Sequence, residues 1–216
     1  MQEMRIRKWL PVLVVIVLMA PLALQAGVNR TSVVIADDWP ADSMLDMGTI
    51  TCPGGELVWA DPVTPICPGS GRIHLRRVTG YGCYTAMSGG SVEPRLSGVG
   101  MFVVNGNLDD TYSGPVWGTW MVVPSAGCDP NDLVDAEVYW KGTWQGRRSR
   151  LCDNGQCVWI GNLKLVGKGR GEGIQGIHFK GSEIITTYTP LPIPWELIPG
   201  FSITGPEGVI TGVIKK

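Results

Sequence analysis

Histidine is nearly absent from this chain: two, His74 and His178, among 216 residues. They stand far apart and no C-x-x-C pair accompanies them, so the spacing of a zinc site is missing and no metal is expected. No G-x-S-x-G elbow occurs and no cysteine stands beside a histidine, which removes support for nucleophilic catalysis. After residue 26 no second long apolar run follows, so no further helical membrane span is expected. Neither charge dominates, with 18 Lys and Arg against 19 Asp and Glu. Nucleic acids and anionic membranes require a basic face, and this balance argues for neither as a partner. Helical periodicity is almost missing as well. Only residues 41–48 suggest a helical turn or two.

What is present points beyond a membrane. The chain opens on the basic stretch Met1-Gln-Glu-Met-Arg-Ile-Arg-Lys8. An apolar run over residues 9–24 follows, and Leu24-Gln-Ala-Gly27 closes it with small residues. That order predicts a signal peptide over residues 1–26, removed on export, and a secreted, periplasmic or cell-surface product. Pro11 and Pro21 and the shortness of the run argue against a retained anchor. Loss of the leader takes the formal net charge from −1 to −3. Asn29-Arg30-Thr31 fits a glycosylation sequon. All six cysteines follow the leader, where thiols usually pair.

Glycine (30) and proline (16) are abundant and break helices, and tryptophan (9) is plentiful. Short β-type runs between Gly, Pro and Asx turns predict one all-β domain over residues 27–216. It would be a single antiparallel β-barrel or barrel-like sandwich, stapled by disulfides. The proline-rich stretch 189–199 reads as an extended loop before a last hairpin.

One register follows from sequence. Cys152-Asp-Asn-Gly-Gln-Cys157 is a hairpin loop in which Asn154-Gly155 accepts positive φ. With Cys152 opposite Cys157, Ala136, Val138, Trp140, Gly142, Trp144 and Gly146 share one face. On the returning strand, Trp159, Gly161, Leu163, Leu165, Gly167, Gly169 and Gly171 share it. Trp144 then opposes Leu165, Trp140 opposes Gly169, and Lys141 meets Lys168. The glycines leave room for an indole from the next strand. Six cysteines allow 15 pairings. The favoured set is Cys152–Cys157 from this register, Cys52–Cys67 from proximity, and Cys83–Cys128 as the remainder.

The succession Gly114-Pro-Val-Trp-Gly-Thr-Trp120, Trp140-Lys-Gly-Thr-Trp-Gln-Gly146, Gly167-Lys-Gly-Arg-Gly-Glu-Gly-Ile-Gln-Gly176 and Phe179-Lys-Gly181 resembles the allene oxide cyclase and dirigent-like superfamily of barrels. The resemblance covers residues 95–216. It implies eight antiparallel strands around a central cavity, and it assigns no catalytic residue here. Residues 28–94 do not follow its pattern. Gly118-Thr-Trp120 is also similar to a triplet of lipocalins and avidins, although it opens the barrel in lipocalins and lies mid-chain here.

Other motifs have plain structural alternatives. Gly171-Glu-Gly-Ile-Gln-Gly176 matches a dinucleotide fingerprint but precedes a strand-like stretch, so no cofactor is expected. Asn105-Gly-Asn-Leu-Asp-Asp110 gathers oxygen ligands, as hairpin turns also do. Arg147, Arg148 and Arg150 read as a solvated hairpin end. The tryptophans either fill the core or line a cavity for a small apolar or sugar-like ligand. Trp117, Trp120, Trp140, Trp144 and His178 are the binding candidates. The leading expectation is a secreted, non-enzymatic binding or structural module. The rivals are a cyclase-like barrel enzyme for a small apolar substrate and a self-associating surface assembly protein.

Overall fold

The structure, a computed structural model, describes residues 30–38, 44–46, 49–53, 58–61, 64–68, 71–187 and 207–216. The expected signal peptide, the sequon asparagine and the proline-rich stretch 189–199 lie outside the described residues.

Eight strands form the body and are numbered here in chain order. They are β1 (Arg30–Asp38), β2 (Ile73–Ser88), β3 (Gly98–Leu108), β4 (Gly114–Pro124), β5 (Tyr139–Asp153), β6 (Gln156–Arg170), β7 (His178–Thr187) and β8 (Glu207–Lys215). Each pairs antiparallel with the next, and β1 pairs with both β8 and β2, which closes the ring. The fold is thus an all-β, disulfide-stapled, up-and-down antiparallel barrel. Closure removes the long unpaired edges that a glycine-rich sheet would otherwise expose. β1 and β2 come from residues 30–88, a part of the chain that the glycine and aromatic pattern leaves out.

The β5–β6 register matches the one argued from sequence through all fifteen pairs, from Tyr139↔Arg170 to Asp153↔Gln156. Asn154 and Gly155 turn the hairpin with φ of 48° and 81°. The strand begins later than the alternation suggested. Asp135 takes a positive φ of 56°, and the ladder starts at Tyr139, so Ala136 packs against the outer surface instead of the interior.

Alternation around the ring sends Val33, Ile35, Phe102, Val116, Trp120, Trp140, Trp144, Leu163, Leu165, Phe179, Ile210 and Ile214 inward, where they are buried. Aromatic rings lie across inward glycines. Trp120 covers Gly142 and Gly167, Phe179 covers Gly181 and Gly212, and Tyr84 covers Gly100. Wide rings on bare backbone let a small barrel fill its interior without forcing the strands apart.

The barrel's lower end, where β5 starts and β6 ends, is closed by short turns. Gly171, Gly173 and Gly176 all have positive φ, and they shape the β6–β7 turn that tucks Ile174 and Ile177 into the core. The G-x-G-x-x-G match is therefore a β-turn segment with no helix after it, which explains it without a cofactor. A 3-10 turn, Pro94–Leu96, inserts Leu96 at the same end.

Outside the barrel, residues 125–138 fold back over Tyr81, Val99 and Val123, with Leu133 and Tyr139 packed beside them. Cys83–Cys128 ties this flap down. Cys52–Cys67 and Cys152–Cys157 complete the favoured set of pairs. Three disulfides fit an oxidising, extracellular type of environment. One expectation needs correction. Met44–Asp46 is a short strand against β2, not a helical turn. The expected last hairpin falls partly on residues 188–206, outside the described residues. No helix among the described residues is long and apolar enough to cross a membrane.

Candidate functional site

All eight strands contribute to one interior cavity of about 150 Å³. Its walls are aliphatic and aromatic, with Phe102, Trp120, Trp144, Trp159, Phe179 and Tyr84 among the rings. Two ionisable side chains break this apolar wall. Arg148 on β5 and Glu183 on β7 both line the cavity, at 9% and 8% exposure.

Arg148 is held from several sides. Its Nη2 donates to Thr187 Oγ1 at 2.7 Å, and its guanidinium stacks 5.5 Å from the centre of the Trp159 ring. Burial pushes it down to about 9. It remains a cation at neutral pH, since a guanidinium holds its proton more tightly than any other side chain. Trp159 is itself fixed. Its Nε1 donates to the Thr111 carbonyl at 2.9 Å, and Tyr112 meets it edge-on with centroids 6.2 Å apart.

The β3–β4 turn that presents this carbonyl is built by Asp109. Its carboxylate accepts from the Thr111 and Ser113 amides at 2.9 and 3.0 Å and from the Thr111 hydroxyl at 2.6 Å. Burial opposes ionisation of Asp109, but these bonds and nearby Arg147 hold it below the usual carboxylate range. Asn105 of the same oxygen-rich segment accepts from the Arg77 amide at the β2 bulge. The segment that resembles a calcium loop thus uses these oxygens to shape backbone, and no cluster of metal-binding side chains occurs among the described residues.

The five binding candidates separate. Trp120 and Trp144 line the cavity. Trp120 is edge-on to Phe179 at 5.7 Å and donates to the Val166 carbonyl, while Trp144 donates to that of Thr119. Trp140 also points inward but lies outside the cavity wall. It is 0% exposed and donates to the Arg95 carbonyl at 2.6 Å, as a plain core residue does. Trp117 and His178 lie on the outer face, so neither can touch an interior ligand. Trp117 is 37% exposed, with Arg76 stacked 5.5 Å from its ring. The cause is parity: Trp117 and Trp120 are three residues apart and must face opposite ways on a strand.

Sequence reasoning missed Arg148, Glu183 and Trp159 as a set. Extending the inward series 140, 142, 144, 146 by one step reaches Arg148, and the Phe179, Gly181 series reaches Glu183. The arginine cluster is not one solvated patch: Arg148 is buried inside while Arg147 and Arg150 are exposed. Set against known proteins, the chain matches no family model, no curated protein and no solved structure.

Proposed function

We propose that this protein is a secreted, non-enzymatic barrel that holds one small, mostly apolar ligand in its interior. The observation that carries the proposal is the cavity itself, apolar on nearly every side but with a buried cation and a buried carboxylate in its wall. A void of this size suits a benzene-sized guest. A polar end that accepts from Arg148 and donates to Glu183, such as a phenolic hydroxyl, would orient it. Isothermal titration with p-cresol and toluene tests this. The expected result is binding of both, with p-cresol tighter and the preference lost in Arg148→Met. Binding of neither would end the proposal. Secretion rests on the leader together with the disulfides, and the intact mass of the exported protein should lack residues 1–26.

Membership in the allene oxide cyclase and dirigent-like superfamily is likewise a proposal, and it rests on the glycine and aromatic succession over residues 95–216. A second reading, a barrel enzyme, is favoured by Glu183, a carboxylate placed where it would exchange a proton with a bound carbonyl compound. Solvent deuterium entering the α-carbon of phenylacetaldehyde faster than in buffer, and no longer so with Glu183→Gln, would support it. Assembly, the third expectation, finds no open edge in the closed ring, while exposed Ile184 and Val209, paired on neighbouring strands, keep its other motive, an apolar patch.

A further inference from the structure

The nearly balanced net charge conceals a segregated one. On the outer face, Arg30 of β1 pairs with Lys215 of β8, Lys215 with His178 of β7, His178 with Lys168 of β6, and Lys168 with Lys141 of β5. All five side chains are exposed. They form one cross-strand row that spans about 19 Å at the usual strand spacing. Lys180, Lys164, Arg170 and Arg147 extend the same face. The outer faces of β5–β7 hold no Asp or Glu between Lys141 and Arg147, between Lys164 and Arg170, or between His178 and Ile184. Like charges placed directly opposite destabilise a sheet. The row holds two such oppositions, Arg30–Lys215 and Lys168–Lys141, on either side of His178, and calls for an anionic partner.

The neighbouring rows indicate what kind. A broad outer depression is lined by Trp117, Gln145, Lys164, Lys180, Ser182 and Thr211. Hydroxyls, an amide and an exposed indole beside cations suit a sugar chain. The row also follows the circumference of a closed barrel. A bilayer is flat and a DNA duplex is stiff, so each would touch only part of it, whereas a flexible linear chain can follow the curve.

We propose that this face binds a linear acidic polysaccharide. Its carboxylate or sulfate groups sit on the row from Arg30 to Lys141, and its sugar hydroxyls lie along the depression towards Trp117. The proposal is independent of the interior ligand. The test is calorimetric titration of the exported protein with polygalacturonate and with heparin over a salt series. Anionic phosphatidylglycerol vesicles, duplex DNA and neutral dextran are run in parallel. The expected result is binding of at least one acidic polysaccharide and none of dextran. K141Q/K168Q/K215Q should weaken it at least tenfold and reduce the salt slope by roughly two to three, since each lost contact removes about 0.7–0.9 of a released counterion. Trp117→Ala should weaken binding with the slope unchanged. If the triple variant loses its circular dichroism signature, Lys168→Gln alone should reduce the slope by about one. No binding of either polysaccharide, binding of vesicles or DNA in their place, or a salt slope untouched by the lysine variants would overturn the proposal.

Discussion

Trp140 and Trp144 stand four residues apart on one strand and point the same way, yet their truncation should have different consequences. Trp140 is fully buried and packed all round, and its Nε1 donates to the Arg95 carbonyl. A buried aromatic hides roughly 200 Å², worth about 5 kcal/mol at about 25 cal/mol/Å². Truncation also leaves the Arg95 carbonyl without its donor, a loss of about 1–3 kcal/mol, while partial collapse of the site recovers some of the total. Trp140→Ala should therefore destabilise by about 4–5 kcal/mol, at the top of the range for such deletions. Trp144 already faces the cavity on one side and so forfeits fewer contacts when removed. Trp144→Ala should lose about 2–3 kcal/mol and should also change the binding of p-cresol. Urea denaturation with the disulfides intact measures both. Equal losses, or a larger one for Trp144→Ala, would mean that the cavity is filled and the distinction between core and wall is mistaken. Trp140→Phe isolates the hydrogen bond and should recover most of the stability, leaving a deficit of about 1–2 kcal/mol.

Three further outcomes follow from the packing and charge. Lys168→Glu turns the like-charge opposition with Lys141 into an attractive one and should stabilise the barrel by about 0.5–1 kcal/mol in low salt, measured by thermal melting; a lower melting temperature would contradict the row geometry. Gly167→Ala places a Cβ against the Trp120 ring and should destabilise by about 1–3 kcal/mol, with altered near-ultraviolet circular dichroism. Glu93 is held below its ordinary value of 4.5, chiefly by its hydrogen bond to Arg95, which meets both carboxylate oxygens at 2.7 Å. A depressed carboxylate stabilises above its unfolded value and ceases to do so as pH falls through the folded one. Glu93→Gln should therefore cost about 0.5–1 kcal/mol near neutrality, discounted for the exposure of Arg95, and the gap to the parent should close in urea melts as the pH falls below 4.5.

The β5–β6 hairpin was legible because three local signals agree. Asn154-Gly155 demands a tight turn, the cysteines flank it symmetrically, and alternation on both arms gives the same parity. A one-residue slip would have turned Trp140 and Trp144 to solvent, so the register had one answer. The candidate site was only half legible. Parity alone separates Trp117 from Trp120, and residue type carries no such information. Arg148 falls on the inward face by the same counting, but the preference of charged groups for water points the other way. A short run of arginines beside a turn gives no sign that one of them is enclosed by Trp159 and Thr187.

The basic row is a different kind of omission. Parity tells which side of the sheet Lys168 occupies, and it even pairs Lys168 with Lys141, because those two share a hairpin. It cannot bring Arg30 to Lys215, which lie at opposite ends of the chain and meet only through barrel closure. Nor can it set His178 against Lys215, because residues 188–206 separate β7 from β8 and so long a connection does not fix a register. Net charge misleads for the same reason, since it sums what the fold separates. Many of the acidic residues lie elsewhere, for example Glu93, Asp109 and Asp129 at strand connections and Glu183 inside the barrel, while exposed Glu137 and Glu172 flank the row at the strand ends. Carboxylates used as turn acceptors and caps leave the outer sheet to the cations. A protein that is nearly neutral by composition thereby presents one strongly basic face, and binding to acidic chains should depend on where the lysines stand rather than on how many there are.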